Sequence, residues 1–146
     1  MKTIGKAINI IYRNIQTYIN GELAAYGITI SEVGIFMTLY REDGIRQEQI
    51  VKEVGVDKAA ITKAVAGMEK KGMLYREADP KDKRAKLVYL TRKGRDIEPK
   101  ITRVLEECNA IITKELNLSD STVLYDFLDD LVNATYELKK GTHHEK

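Results

Sequence analysis

Cationic side chains are concentrated on one stretch of this chain, where their spacing suits the binding of a polyanion. Lys63 and Lys70 stand seven residues apart, two helical turns, with Lys58 and Lys71 at either end, and Lys81, Lys83, Arg84 and Lys86 crowd a short segment that follows. Residues 58–103 hold 14 Lys or Arg against 6 Asp or Glu. Residues 1–57 hold 6 against 7, and residues 104–140 hold 3 against 8. The net charge of +2 implies nothing by itself. Its distribution suits a protein that meets phosphate with one side only. Other reactive side chains are sparse. Cys108 is the single cysteine, and it falls on an apolar stripe, which reads as an inert core thiol. Glu106 and Glu107 would disfavour a thiolate there. His143 and His144 are adjacent in a tail and lack the spacing of a helical metal pair, so no metal site is expected. Asp129-Asp130 reads as a solvated helix face. No phosphate loop or nucleophile elbow is present, so neither catalytic residues nor a cofactor are expected.

The elements that must position the cations can be read from pattern. Asp57 is a good helix N-cap. Ile61, Val65 and Met68 follow at i, i+4, i+7 and define a buried face. Lys70 and Lys71 suit the last turn, and Gly72 the position just beyond it. The opposite face carries Ala59, Thr62, Lys63, Ala66, Gly67 and Lys70. A helix entering a major groove needs small residues near base edges and cations near phosphates. A solvated surface helix has the same look, so the face alone leaves both readings open. Two strand-like runs follow, residues 74–78 and 86–90, joined by Asp79-Pro80-Lys81-Asp82-Lys83-Arg84. Asp-Pro starts turns. The expected result is a hairpin whose loop presents Lys81, Lys83, Arg84 and Lys86 and can enter a minor groove.

Asp82-x-Arg84, followed at fixed distance by Leu90-Thr91 and Gly94, resembles the wing signature of the MarR family of winged-helix regulators. Residues 55–57 and 69–72 resemble that family's turn and helix exit, and Gly27 to Ser31 its approach to the preceding helix. The resemblance covers roughly residues 4 to 138. It implies a homodimer that binds a short palindrome in double-stranded DNA and responds to a small molecule. It also implies that Arg84 enters the minor groove, oriented by Asp82. Arg46 stands where family members often carry a Ser or Thr cap, and with Gln47 it lies within reach of phosphate. The residues expected to meet DNA are Gln47, Lys58, Ala59, Thr62, Lys63, Lys81, Asp82, Lys83, Arg84 and Lys86.

The flanking segments read as follows. Ile4, Ile8, Ile11, Ile15 and Tyr18 form a heptad-like stripe that Gly21 and Gly27 punctuate. Ser31 is the expected cap of a helix carrying Val33, Phe36, Met37 and Tyr40, closed by Asp43-Gly44. Residues 47–54 form a short helix, and Gly55 ends it. Two helices around a three-residue turn make a helix-turn-helix. Thr91 is expected to start a long helix kinked by its interior Pro99. Its stripe is Ile97, Ile101, Val104, Cys108 and Ile111. Ser119 is expected to cap the last helix, with Phe127, Leu128, Leu131, Ala134 and Leu138 on its apolar side. Residues 139–146 read as a frayed tail.

The expected fold is mainly α with a small β-hairpin wing, one domain over residues 1–146. A winged helix-turn-helix core at 30–94 is flanked by dimerisation helices at 4–20 and 95–140. The expected function is a sequence-specific DNA-binding regulator, a repressor released by a small aromatic or anionic ligand. Tyr12, Arg13, Tyr26 and Met37 are the candidate ligand contacts, Arg13 as the anion partner. The alternatives are a winged-helix interaction module that does not bind DNA, and a redox-responsive regulator acting through Cys108. No signal peptide or membrane span is expected, and one cysteine suits a reducing cytoplasm.

Overall fold

The structure is a computed structural model that describes residues 1–141; the adjacent histidines at 143 and 144 lie outside the described residues. Seven helices and a small sheet follow in the order α1 (Ile4–Leu23), a 3₁₀ turn (Ala24–Tyr26), α2 (Ile30–Arg41), β1 (Ile45–Arg46), α3 (Gln47–Val54) and α4 (Lys58–Lys70). Then come β2 (Leu74–Asp79), β3 (Asp82–Leu90), α5 (Arg92–Asp96), α6 (Glu98–Glu115) and α7 (Thr122–Gly141). This is the mainly helical winged helix-turn-helix expected from the sequence. Two compact units divide it, residues 1–108 and the segment from Asn109 onward.

In the first unit one core holds the reading elements in place. Leu23, Ile35, Phe36, Leu39, Ile50, Ile61, Val65, Met68, Leu74, Val88 and Ile101 are fully buried. They come from α1 to α4, both hairpin strands and α6, so each of these elements is fixed by apolar contact with the others. The sheet order is β1-β3-β2, all antiparallel. Ile45 pairs with Val88 and Arg46 with Leu87, which adds a third strand to the expected hairpin. Tyr75 and Tyr89 sit opposite each other and stack at 5.2 Å, stiffening the outer face of the wing.

Several local expectations are corrected. The cap of α2 is Thr29, not Ser31. Thr29 and Glu32 form a capping box, while Ser31 hydrogen-bonds only to the Thr29 hydroxyl. Helix α1 runs through Gly21 and stops at Leu23. The charged turn of the wing is shorter than expected. Only Pro80 and Lys81 lie outside the strands, so Lys83, Arg84 and Lys86 sit on β3. Thr91 caps a helix of five residues, accepting from the Gly94 amide. The chain breaks at Ile97, and Pro99 lies in the first turn of α6, where a missing N–H costs little. The last helix starts at Thr122, three residues beyond Ser119; the Asp120 carboxylate accepts from the Thr122 amide. It continues to Gly141, so residues 139–141 are helical and not frayed.

In the second unit, α7 buries no residue: Val123, Phe127, Val132 and Leu138 are each more than half exposed. In the first unit, Ile4, Ile11 and Tyr12 of α1 are likewise more than half exposed. No single helix among the described residues is long and apolar enough to cross a membrane.

Gly94 explains part of the Leu90-Thr91-x-x-Gly94 spacing. A Cβ on Gly94 would lie 2.1 Å from the Met73 carbonyl oxygen. That oxygen also accepts from the Thr91 amide at 3.0 Å, so it cannot retreat freely. Gly94→Ala is therefore expected to destabilise the fold by about 2–4 kcal/mol, read as a fall in thermal midpoint.

Candidate nucleic-acid interface

The reading helix is built as its sequence demands. Asp57 accepts from the Ala60 amide at 2.8 Å. Ile61, Val65 and Met68 are buried, while Ala59, Thr62, Lys63, Ala66 and Lys70 are exposed. The helix ends in a Schellman arrangement. Gly72, at φ +74°, donates to the Glu69 carbonyl, and Met73 donates to the Met68 carbonyl. The α3–α4 turn uses Gly55, also left-handed at φ +73°. Lys58 occupies the first position of α4, and the first turn holds no acidic residue. A cation there opposes the helix dipole, a placement that becomes favourable when an anion arrives.

The wing stands beside this helix. Val88 and Leu90 face the core at the base of β3, and further out Asp82, Arg84, Ala85 and Lys86 line a cleft. On β2, Arg76 pairs with Val88 and lines the same cleft. Its volume is about 490 Å³, and its full lining is Arg46, Gln47, Lys58, Arg76, Arg84 and Lys86 with Glu48, Asp82 and Ala85. Five of its nine lining residues are cations, so the cleft is electropositive.

Carboxylates decide how these cations are held. Arg84 is 95% exposed; its Nε lies 3.5 Å from Asp82 Oδ1, and its backbone amide donates to the same oxygen at 3.1 Å. Arg76 makes a paired contact with Glu69 of α4 at 3.1 and 3.2 Å. That hydrogen bond holds the Glu69 carboxyl below its ordinary range. Arg76 also approaches the Gln47 oxygen at 3.4 Å, and the Gln47 amide approaches the Thr62 hydroxyl at 3.5 Å. Thr62 donates to the Lys58 carbonyl at 2.8 Å. Arg46 Nε donates to buried Asp79 at 2.8 Å. The Lys81 amide, and next Arg46, hold the Asp79 carboxyl below its usual range against the effect of burial.

Eight of the ten expected DNA-facing residues thus lie on the α4 surface or along the wing strands and cleft. The other two are Lys81, at the turn, and Lys83, on β3; both are exposed and neither lines the cleft. Arg76 was absent from the expected set. Period-2 alternation from Leu74 was the signal that could have placed it on the cleft side. Arg46 is committed to Asp79, which no local pattern announces, because the partners are 33 residues apart.

The ligand candidates are more scattered. Tyr12, Arg13 and Met37 are exposed. Tyr26 is half-buried under the Lys100 ammonium at 4.4 Å and lines a separate open groove with Met73, Arg92, Lys93, Asp96 and Ile97. Cys108 is buried, and burial pushes its thiol up. Among the described residues, no three His, Cys, Asp or Glu side chains gather as a metal site.

Comparison with known proteins agrees with this geometry. The MarR family model matches residues 28–86. A MarR transcriptional regulator from Methanosarcina mazei Go1 superposes with a TM-score of 0.85 at 31% identity, over 92% of this chain and 97% of that one. A putative MarR family transcriptional regulator from Listeria monocytogenes, solved with a 26mer DNA, superposes with a TM-score of 0.84 at 26% identity over 97% of both chains. The uncharacterised HTH-type transcriptional regulator YdgJ of Bacillus subtilis (strain 168) is 40% identical over 73 residues, half of this chain and 44% of that protein. The reading helix, the basic wing and these likenesses lead to one conclusion: the chain belongs to the MarR family of transcriptional regulators.

Proposed function

We propose that this protein is a cytoplasmic homodimer that binds a short palindrome in double-stranded DNA and represses transcription until a small ligand releases it. The observation that carries this reading is the cationic cleft between the wing and the starts of α3 and α4. Its width is set by buried apolar contacts, and three of its cations, Lys58, Arg84 and Lys86, project from well-formed elements. In this reading the exposed face of α4 enters a major groove, with Ala59, Thr62 and Lys63 toward base edges. Gln47 and Lys58 meet backbone phosphate. The wing follows the strand with Lys81, Lys83 and Lys86, and Arg84 enters the adjacent minor groove with Asp82 behind it. Residues 30–94 form the reading head. Residues 4–20 and 95–140 join the protomers, because the exposed apolar side chains of α1 and α7 need cover. Two heads then address half-sites about 34–36 Å apart. The effector is an aromatic or anionic molecule held near Arg13, with Tyr12, Tyr26 and Met37 around it.

Selection of bound duplexes from random DNA, followed by salt titration, tests the central claim. An inverted repeat with a steep salt dependence is expected; no enrichment would point to an interaction module in its place. On the selected duplex, Arg84→Ala should weaken binding about tenfold or more and flatten the A·T preference at the wing position. Lys63→Ala should cost more on that duplex than on random DNA if it reads a base. Sedimentation should give about twice the 16.6 kDa chain mass, and Phe127→Glu should shift it toward monomer; a monomeric wild type sinks the two-head arrangement. Aromatic carboxylates should release the duplex from wild type at concentrations that leave Arg13→Ala bound.

A further inference from the structure

The geometry points to Arg46 as a positioning residue: we infer that it straps the wing to the start of the helix-turn-helix through Asp79, and does not itself neutralise a phosphate. The inference rests on reading the cleft as a duplex-binding site and assigns one of its cations a different task. Strand order is β1-β3-β2, so Arg46 and Asp79 lie on the two outer strands of the sheet. Their contact at 2.8 Å therefore bridges over β3. Asp79 sits where the β2–β3 register shifts, just beyond Ala78. Its side chain is only 8% exposed, and both carboxylate oxygens are used. One accepts from the Lys81 amide at 2.9 Å and shapes the two-residue turn, while the other accepts from Arg46. Arg46 stands at the N-cap of α3, yet its side chain makes no capping bond. Its second contact, Glu48 at 3.4 Å, is exposed and weak. One carboxylate thus ties the tip of the wing to the element that leads into the reading helices. The strap sets how far Arg84 and Lys86 stand from α4.

Electrostatics and positioning make opposite forecasts for Asp79. Removing a negative charge from a basic cleft should by itself tighten the grip on a duplex. Removing a strap should loosen it, because Arg84 loses its set distance from α4.

The test uses the full chain, the duplex chosen by selection and a series of salt concentrations. Asp79→Asn and Arg46→Gln should each weaken binding on the order of tenfold, the scale of one charged hydrogen bond. The double variant should be no weaker than either single one. The dependence of log affinity on log salt should keep the wild-type slope. Equal or tighter binding by Asp79→Asn overturns the inference. So does a slope reduced by about 0.9 in Arg46→Gln, which marks a lost phosphate contact. Hydrogen exchange without DNA gives an independent arm. Amides of residues 80–86 should exchange faster in Asp79→Asn while those of α4 do not; an unchanged wing refutes the strap. Should wild type bind no duplex, the DNA reading fails and the exchange arm alone decides the strap. Where Asp79→Asn does not fold, Arg46→Lys replaces it. It keeps the charge but lacks the Nε donor, so the strap forecasts weak binding, and a phosphate contact forecasts near-normal binding.

Discussion

Cations gathered in one cleft repel one another, and the fold must contain that repulsion before any DNA is present. It does so by tying two of the five cations to carboxylates on other elements, while Arg84 pairs with Asp82 on its own strand. Arg46 is held by Asp79 and Arg76 by Glu69. Each pair also joins two elements: β1 to β2 in one case, α4 to β2 in the other. The carboxylates that lower the local charge are thus the same groups that fix the cleft's walls. Lys58, Arg84 and Lys86 remain outward, on a helix end and a strand whose positions are already set. That division separates cations that shape the site from cations available to a partner.

The apolar core makes the division possible. Ile61, Val65 and Met68 pin α4 along its length, and Met73, Leu74, Val88 and Leu90 pin the base of the hairpin. The wing beyond Arg76 leaves the core, so apolar contact no longer controls it. From there outward, control passes to polar contacts such as Arg46–Asp79. At the base, the Met73 carbonyl accepts from Thr91 and lies against Gly94. Tyr40 donates to the Gly94 carbonyl at 2.7 Å, so α2, α5 and the start of β2 meet at one small glycine.

Much of this was legible in the sequence, for reasons that also explain what was not. Asp57, Thr91 and Gly72 act on backbone groups within three or four residues, so their roles follow from local rules. The α4 stripe is a single period and needs no tertiary knowledge. Sequence alone does not single out the caps of α2 and α7, because two or three polar residues compete at each site. Thr29 prevailed over Ser31 because Glu32 stands at the distance a capping box requires. Pro99 implies a kink only in a continuous helix; the break at Ile97 moves it into a first turn, where it fits. The strand β1, the Arg46–Asp79 contact and the Arg76–Glu69 contact depend on how the hairpin folds back. For β1 and Arg46 the partners are too distant in sequence for any spacing to reveal them.

The same contrast bears on how acidic residues inside a basic face should be read. A sequence count treats Asp79 and Asp82 alike, as charges subtracted from the wing. Their burial separates them. Asp82 is 39% exposed beside an Arg84 that is 95% exposed. Ion pairs in that setting contribute about 0–1 kcal/mol, so Arg84 can exchange its partner for phosphate at little cost. Asp79 is buried, saturated by two donors and attached to the turn itself. Withdrawing Arg46 from it would leave a desolvated carboxylate short of a partner, which is far less favourable. A phosphate therefore competes well for Arg84 and poorly for Arg46. In the proposed reading, the wing's recognition chemistry then depends on exposure more than on charge count.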